Sequence, residues 1–101
     1  MAGKRTEKAP EEKRPTLEEL RAELDRTDRI LEQAFIERME TVKKIGELKA
    51  AEGLPTYDPA REEKVLAMHA EKAPEELKGY MRDLFRTLMD LSKEYQKQHK
   101  E

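Results

Sequence analysis

The chain has 101 residues, 44% of them charged, and its 21 basic and 23 acidic side chains leave a net charge of −2. That length sets one domain as the expectation, and near-neutrality argues against a nucleic-acid binder driven by counterion release. No apolar run approaches the roughly 18 residues of a membrane span, no apolar stretch follows the basic N-terminus as a secretory signal requires, and the lack of cysteine removes disulfides, thiol catalysis and thiolate metal sites, which fits a cytoplasmic protein.

Residues 1–15 hold five basic and three acidic side chains and no Leu, Ile, Val, Phe or Tyr. Such a segment buries too little surface to offset its ordering entropy and is expected to be a disordered polar tail. Thr16-Leu17-Glu18-Glu19 reads as a capping box. Apolar residues then recur at steps of three and four: Leu17, Leu20, Leu24, Leu31, Ala34, Phe35, Val42, Ile45 and Leu48. Gly53 stands where a left-handed cap is expected and Pro55 follows it, so the spacing predicts one helix over about 17–51. At 1.5 Å per residue it is about 50 Å long.

Asp58-Pro59 reads as an N-cap followed by proline at the first helical position. A short second helix is predicted over about 59–72, with a thin stripe of Val65, Leu66 and Met68. Pro74 opens a third, over about 74–98, with Leu77, Tyr80, Met81, Leu84, Phe85, Leu88, Leu91 and Tyr95 on its buried side. No strand pattern and no repeat is present, so the fold class is all-α: three helices, long, short and medium. A rod of about 50 Å with an apolar stripe outruns two shorter helices, since a domain of this size has a radius of gyration of about 13 Å. A homodimer with two-fold symmetry is the expected remedy, against the plainer picture of a helical hairpin with an exposed end.

Several polar residues stand out from a merely solvated surface. Arg38 and Lys49 are eleven residues apart, which is three turns plus about 20°, so they share a face with Val42 and Ile45 between them. Both long side chains can reach inward to one small anion. An interhelix salt-bridge network is the competing account of such a pair. Arg21 lies seventeen residues before Arg38, about 25 Å along the helix, too far to share a small ligand within one chain. In an antiparallel dimer it can meet the partner's ligand. Ser92 and Gln96, four apart, can form a neutral hydrogen-bonding pair or be ordinary polar residues near a fraying end. Arg61 and Glu62 occupy the first turn of the second helix, where unpaired amides can bind an oxygen. His69 and His99 lack metal-ligand spacing and are expected at the surface, and no metal or cofactor is expected.

Taken together, these residues resemble a known family, the all-helical (type II) chorismate mutases, over about residues 17–97. The resemblance rests on Leu20-Arg21, Asp28, Arg38, Gly46 and Lys49 in the long helix. It continues through Pro55, Asp58, Arg61-Glu62 and Leu66, then Leu84-Phe85, Ser92 and Gln96. It implies a mutase domain over 16–101, an intertwined homodimer, and rearrangement of chorismate to prephenate on the route to phenylalanine and tyrosine. It further implies that Arg38 binds a substrate carboxylate and that Arg21 of the other subunit holds the second. Lys49 would contact a carboxylate and the ether oxygen, and Gln96 would donate to the same oxygen. Glu62 would hold the ring hydroxyl, with first-turn amides near Asp58 and Arg61 assisting. Ser92 would help fix a carboxylate, and Ile45, Val65 and Met89 would form apolar walls.

A pericyclic shift needs no proton transfer, nucleophile, metal or redox group, which agrees with the residue types present. Departures from the family pattern are the short link Glu71-Lys72-Ala73-Pro74-Glu75 and Gly79 within the third helix. Two other readings compete: a lyase of the same fold that removes pyruvate from isochorismate, and a non-catalytic helical interaction module. The chain reads as free-standing, with any feedback control supplied by a pathway-enzyme partner.

Overall fold

The computed structural model describes residues 14–99. Helix α1 spans Leu17–Glu52, α2 spans Pro59–Lys72 and α3 spans Lys78–Gln98, with a 3-10 turn at Glu75–Leu77 before α3. The described residues contain no strand, so this part of the chain is all-α with the expected order of long, short and medium helices. No helix among them is long and apolar enough to cross a membrane. The tail expected over 1–15 lies outside the described residues except for positions 14 and 15.

The chain divides into two compact units, Met1–Phe35 and Ile36–Glu101, with the boundary inside α1. In the first unit α1 starts on the expected capping box. The Thr16 amide donates to Glu19 Oε1 at 2.8 Å, and the Glu19 amide donates to Thr16 Oγ1 at 3.1 Å. Two orphan amides of the first turn are thereby satisfied by neighbours in sequence. The apolar residues Leu17, Leu20, Leu24, Ile30 and Leu31 of this unit are 45% to 70% exposed.

In the second unit α1 ends in a Schellman motif. The Leu54 amide donates to the Lys49 carbonyl at 2.8 Å and the Gly53 amide to the Ala50 carbonyl at 3.3 Å. Gly53 has φ of 70°, a left-handed conformation that glycine adopts without a Cβ clash. Asp58 caps α2 by accepting from the Arg61 amide at 3.1 Å, with Pro59 opening the helix. The core comprises Val65, Leu66 and Met89, with Phe85 packed against them. At Gly46 the backbone of α3 comes close to α1. A Cβ there would sit 3.1 Å from the Gln96 Cα and 3.2 Å from its carbonyl oxygen.

Three expectations need correction. The third helix does not run unbroken from 74. Its first turn is instead 3-10, with the Leu77 amide donating to the Pro74 carbonyl at 2.8 Å. Proline 74 pushes Ala73 into extended backbone, and the chain re-enters the helix through a tighter turn. The buried arc of α3 is Met89, Ser92 and Gln96. Leu77, Tyr80, Leu84 and Leu91, expected on the buried side, are exposed. Residues 89, 92 and 96 follow the three- and four-residue helical step, whereas Leu77, Leu84 and Leu91 form a seven-residue row on another face. Finally, His69 and His99 are half-buried rather than at the surface. His69 stacks on Phe85 with ring centroids 3.9 Å apart, and His99 Nδ1 lies 3.0 Å from the Tyr95 carbonyl oxygen.

Candidate active site

All three helices of the second unit contribute to one cleft of about 310 Å³. Helix α1 supplies Arg38, Val42, Ile45 and Lys49, and the loop after it supplies Thr56 and Asp58. Helix α2 supplies Arg61, Glu62 and Val65, and α3 supplies Met89, Ser92, Lys93 and Gln96. Ten of the eleven residues anticipated for the site therefore line a single cleft. The eleventh, Arg21, is exposed in the first unit and does not line it.

The polar side chains are held by identifiable contacts. An Arg38 guanidinium N–H donates to Ser92 Oγ, and Ser92 Oγ in turn donates to the Leu88 carbonyl at 2.6 Å. That second bond is the usual back-bond of a helical serine and leaves the oxygen free to accept from α1. Of the two readings left open for Ser92 and Gln96, the mutual pair does not form, because the helix's own carbonyl and Arg38 take the serine. Lys49 Nζ donates to the Thr56 carbonyl at 3.0 Å, which anchors the ammonium at the cleft and leaves further protons to donate.

The first turn of α2 offers less than expected. The Arg61 amide is taken by Asp58 Oδ1, and the Glu62 amide donates to the Asp58 carbonyl at 3.0 Å. Asp58 acts as a cap, and neither amide is left to hold a ligand. Gln96 is buried, and its Oε1 accepts no hydrogen bond from the described residues. A buried polar atom without a partner costs about 1–3 kcal/mol. The unpartnered atom is an acceptor, and the amide nitrogen of the same group is the donor that an anion would meet.

Electrostatically the cleft is cationic. Burial and repulsion from Arg61 lower the Arg38 pKa, while leaving it charged at neutral pH. Two cations that disfavour one another, one of them partly withdrawn from water, are relieved by an anion between them. The floor of Val42, Val65 and Met89 is buried and apolar. The cleft can thus bind a small, multiply anionic molecule with an apolar ring, and it offers an anchored donor at Lys49 and a buried amide at Gln96. Among the described residues no group of His, Asp or Glu is arranged to hold a metal ion.

Lys93 was not anticipated. It reads in sequence as one of many charged residues, three after Asp90, and only its approach to Glu62 of α2 brings it into the cleft. Thr56 was missed because its contribution is a backbone carbonyl, which no side-chain pattern encodes.

Comparison with known proteins bears on the whole of this region. The chain is 37% identical over 73 residues to the T-protein of Haemophilus influenzae, a match that covers 72% of this chain and 19% of that protein. It is 39% identical over 54 residues to the T-protein of Enterobacter agglomerans, covering 54% of this chain and 14% of that one. The chain thus spans less than a fifth of the curated relatives it matches. No solved structure matches it. Residues 20–97, which hold both caps of α2, the cleft and Arg21, match the family described as chorismate mutase type II. The chain belongs to the chorismate mutase type II family.

Proposed function

We propose that this chain catalyses the rearrangement of chorismate to prephenate in the cleft between α1, α2 and α3. The observation that carries the reading is the convergence of Arg38, Lys49 and Gln96 on one cleft in a chain of this family. The reaction breaks one C–O bond as one C–C bond forms within a single dianionic molecule. Arg38, supported by Ser92, holds one carboxylate. Arg61 adds positive potential, and Glu62 accepts from the ring hydroxyl. Ile45, Val65 and Met89 press the flexible substrate toward a chair-like, near-attack shape. Negative charge grows on the ether oxygen in the transition state, where Lys49 and the Gln96 amide donate to it. One such preorganised donor is worth about 3–4 kcal/mol of barrier.

The second carboxylate needs a further cation, and Arg21 of a second copy supplies it in this proposal. The exposed apolar residues Leu17, Leu20, Leu24 and Leu31 of α1 support a homodimer, since together they make an apolar stripe that water covers in the single chain. The domain on this reading spans 16–101.

The test is loss of chorismate absorbance, with isochorismate as a control. Saturable formation of prephenate, abolished by Lys49→Ala, is expected. Pyruvate release from isochorismate without mutase turnover would replace the reading with a lyase, and a folded dimer inert to both would overturn it.

A further inference from the structure

Lys93 lines the cleft, yet the proposed chemistry gives it no task. Its Nζ lies 3.0 Å from Glu62 Oε2 on the neighbouring helix and 3.5 Å from Asp90 Oδ1 on its own. It also sits 4.7 Å from the centroid of the Tyr57 ring, within cation–π range. The Lys93 and Glu62 side chains retain only 25% and 23% of their exposure, whereas Asp90 retains 67%. The interhelix contact with Glu62 is therefore the shielded one, and the pair with Asp90 is the kind that solvent weakens.

The charges of the cleft explain why this contact matters. Its cations are Arg38, Lys49, Arg61 and Lys93, and its anions are Asp58 and Glu62. The Asp58 carboxylate is committed to the α2 cap. Glu62 is thus the one lining carboxylate whose place rests on a side-chain partner, and that partner is Lys93. Without it, Glu62 has two mutually repelling guanidiniums, Arg38 and Arg61, as alternative partners in the same cleft. A carboxylate that turned to them would occupy the charge meant for the substrate.

We infer that Lys93 is a positioning residue that pins and neutralises Glu62, so that Arg38 and Arg61 stay open to a dianionic ligand. The inference rests on the proposed function for the identity of that ligand. It predicts an effect on affinity rather than on the chemical step, because Lys93 acts through Glu62 and not on the reacting atoms. It also predicts that the effect depends on the Glu62 charge.

The experiment is a double-mutant cycle on the full chain: wild type, Lys93→Met, Glu62→Gln and both together. Two quantities are read, the KM for chorismate and the Kd for prephenate. Lys93→Met keeps the unbranched stem and removes the charge, and it should raise both by about tenfold, within the coupling range of neighbours in one network. It should leave kcat within about twofold, since the donors at the ether oxygen are untouched. In the Glu62→Gln background the same substitution should change affinity by less than about twofold, because the charge it balances is gone. Lys93→Arg should restore most of the affinity.

An equal penalty in both backgrounds would overturn the inference, as would no penalty in either. A Lys93→Met variant that loses its helical circular dichroism also overturns it, because a positioning residue leaves the fold intact. Prephenate binding with this coupling but no turnover of chorismate would refute the proposed function and keep the inference. Turnover without the coupling does the reverse, and absence of both turnover and binding overturns both.

Discussion

Gly46→Ala tests whether the cleft depends on a backbone approach rather than on its polar side chains alone. The added methyl would lie 3.1 Å from Gln96 Cα, 3.2 Å from the Gln96 carbonyl oxygen and 3.3 Å from its Cβ. Carbon–carbon contact is comfortable at about 3.5 Å, so α3 must move out by about 0.4 Å at Gln96. Two of those three atoms are backbone, and no rotamer change relieves them. Overpacking of this kind costs about 1–3 kcal/mol. Replacing a helical glycine by alanine returns about 1 kcal/mol. The net loss is about 0–2 kcal/mol, with a Tm drop of up to about 10 °C for a domain of this size. Activity should suffer more than stability. If 1 Å of misplacement costs about a hundredfold, 0.4 Å costs about sixfold in kcat. Gly79→Ala is the control, because a Cβ there meets nothing within 4 Å and the backbone has no positive φ. It should raise stability by up to about 1 kcal/mol and leave kcat unchanged. Thermal melts and initial rates with chorismate measure both variants. A Gly46→Ala chain as active as wild type and stabilised as Gly79→Ala is would refute the reasoning.

Gln96→Glu should leave wild-type-like folding but lose about a hundredfold in kcat near pH 7.5, since an ionised carboxylate cannot donate to the ether oxygen. Its rate should recover toward acid pH, where the carboxyl gains a proton, while the wild type stays flat through neutrality; a pH–rate profile unchanged by the substitution would count against the donor role. Arg21→Ala and Arg38→Ala should each be inactive alone and regain about a quarter of wild-type activity when co-refolded, because half the dimers are mixed and each mixed dimer rebuilds one of two sites. No recovery on mixing would remove the partner's Arg21 from the site. Hydrogen bonding to Glu62, followed by its charge and by Asp90, raises the Lys93 pKa. Its contribution to stability is then fully present below the ordinary lysine pKa and is lost as pH rises through the raised one. The stability difference between wild type and Lys93→Met should therefore be constant through neutral pH and shrink only in strong alkali, as followed by urea melts.

The helix ends were readable because each rests on residues adjacent in sequence. Thr16 and Glu19 bond to each other's backbone, Gly53 takes the left-handed turn, and Asp58 caps the helix that Pro59 opens. Such contacts close within one turn and need nothing from the rest of the chain. The candidate site was readable through spacing and family resemblance. Arg38 and Lys49 fall on one face by helical arithmetic, and Ser92 and Gln96 on another, and the cleft collects all four. Arg21 differs: it shares the pattern but is not among the residues that line the cleft.

What remained unreadable involves contacts between helices. Helical periodicity marks an apolar row but not which row meets a neighbour, and in the single chain Leu77, Leu84 and Leu91 are exposed while Met89, Ser92 and Gln96 are buried. Lys93 is indistinguishable in sequence from the other charges of a chain that is 44% charged. It becomes part of the cleft only because α3 passes α2 at Glu62. Gly46 carries no turn signal either, and its purpose appears only where the Gln96 backbone comes close enough to exclude a Cβ. Residues close in the chain settle the three helices, both ends of α1 and the start of α2, because those follow from interactions within a few residues, and helical spacing settles which polar residues share a face. The tertiary structure decided which charges pair, which amides are already taken and how near α3 stands to α1, because these depend on distances between residues far apart in the chain.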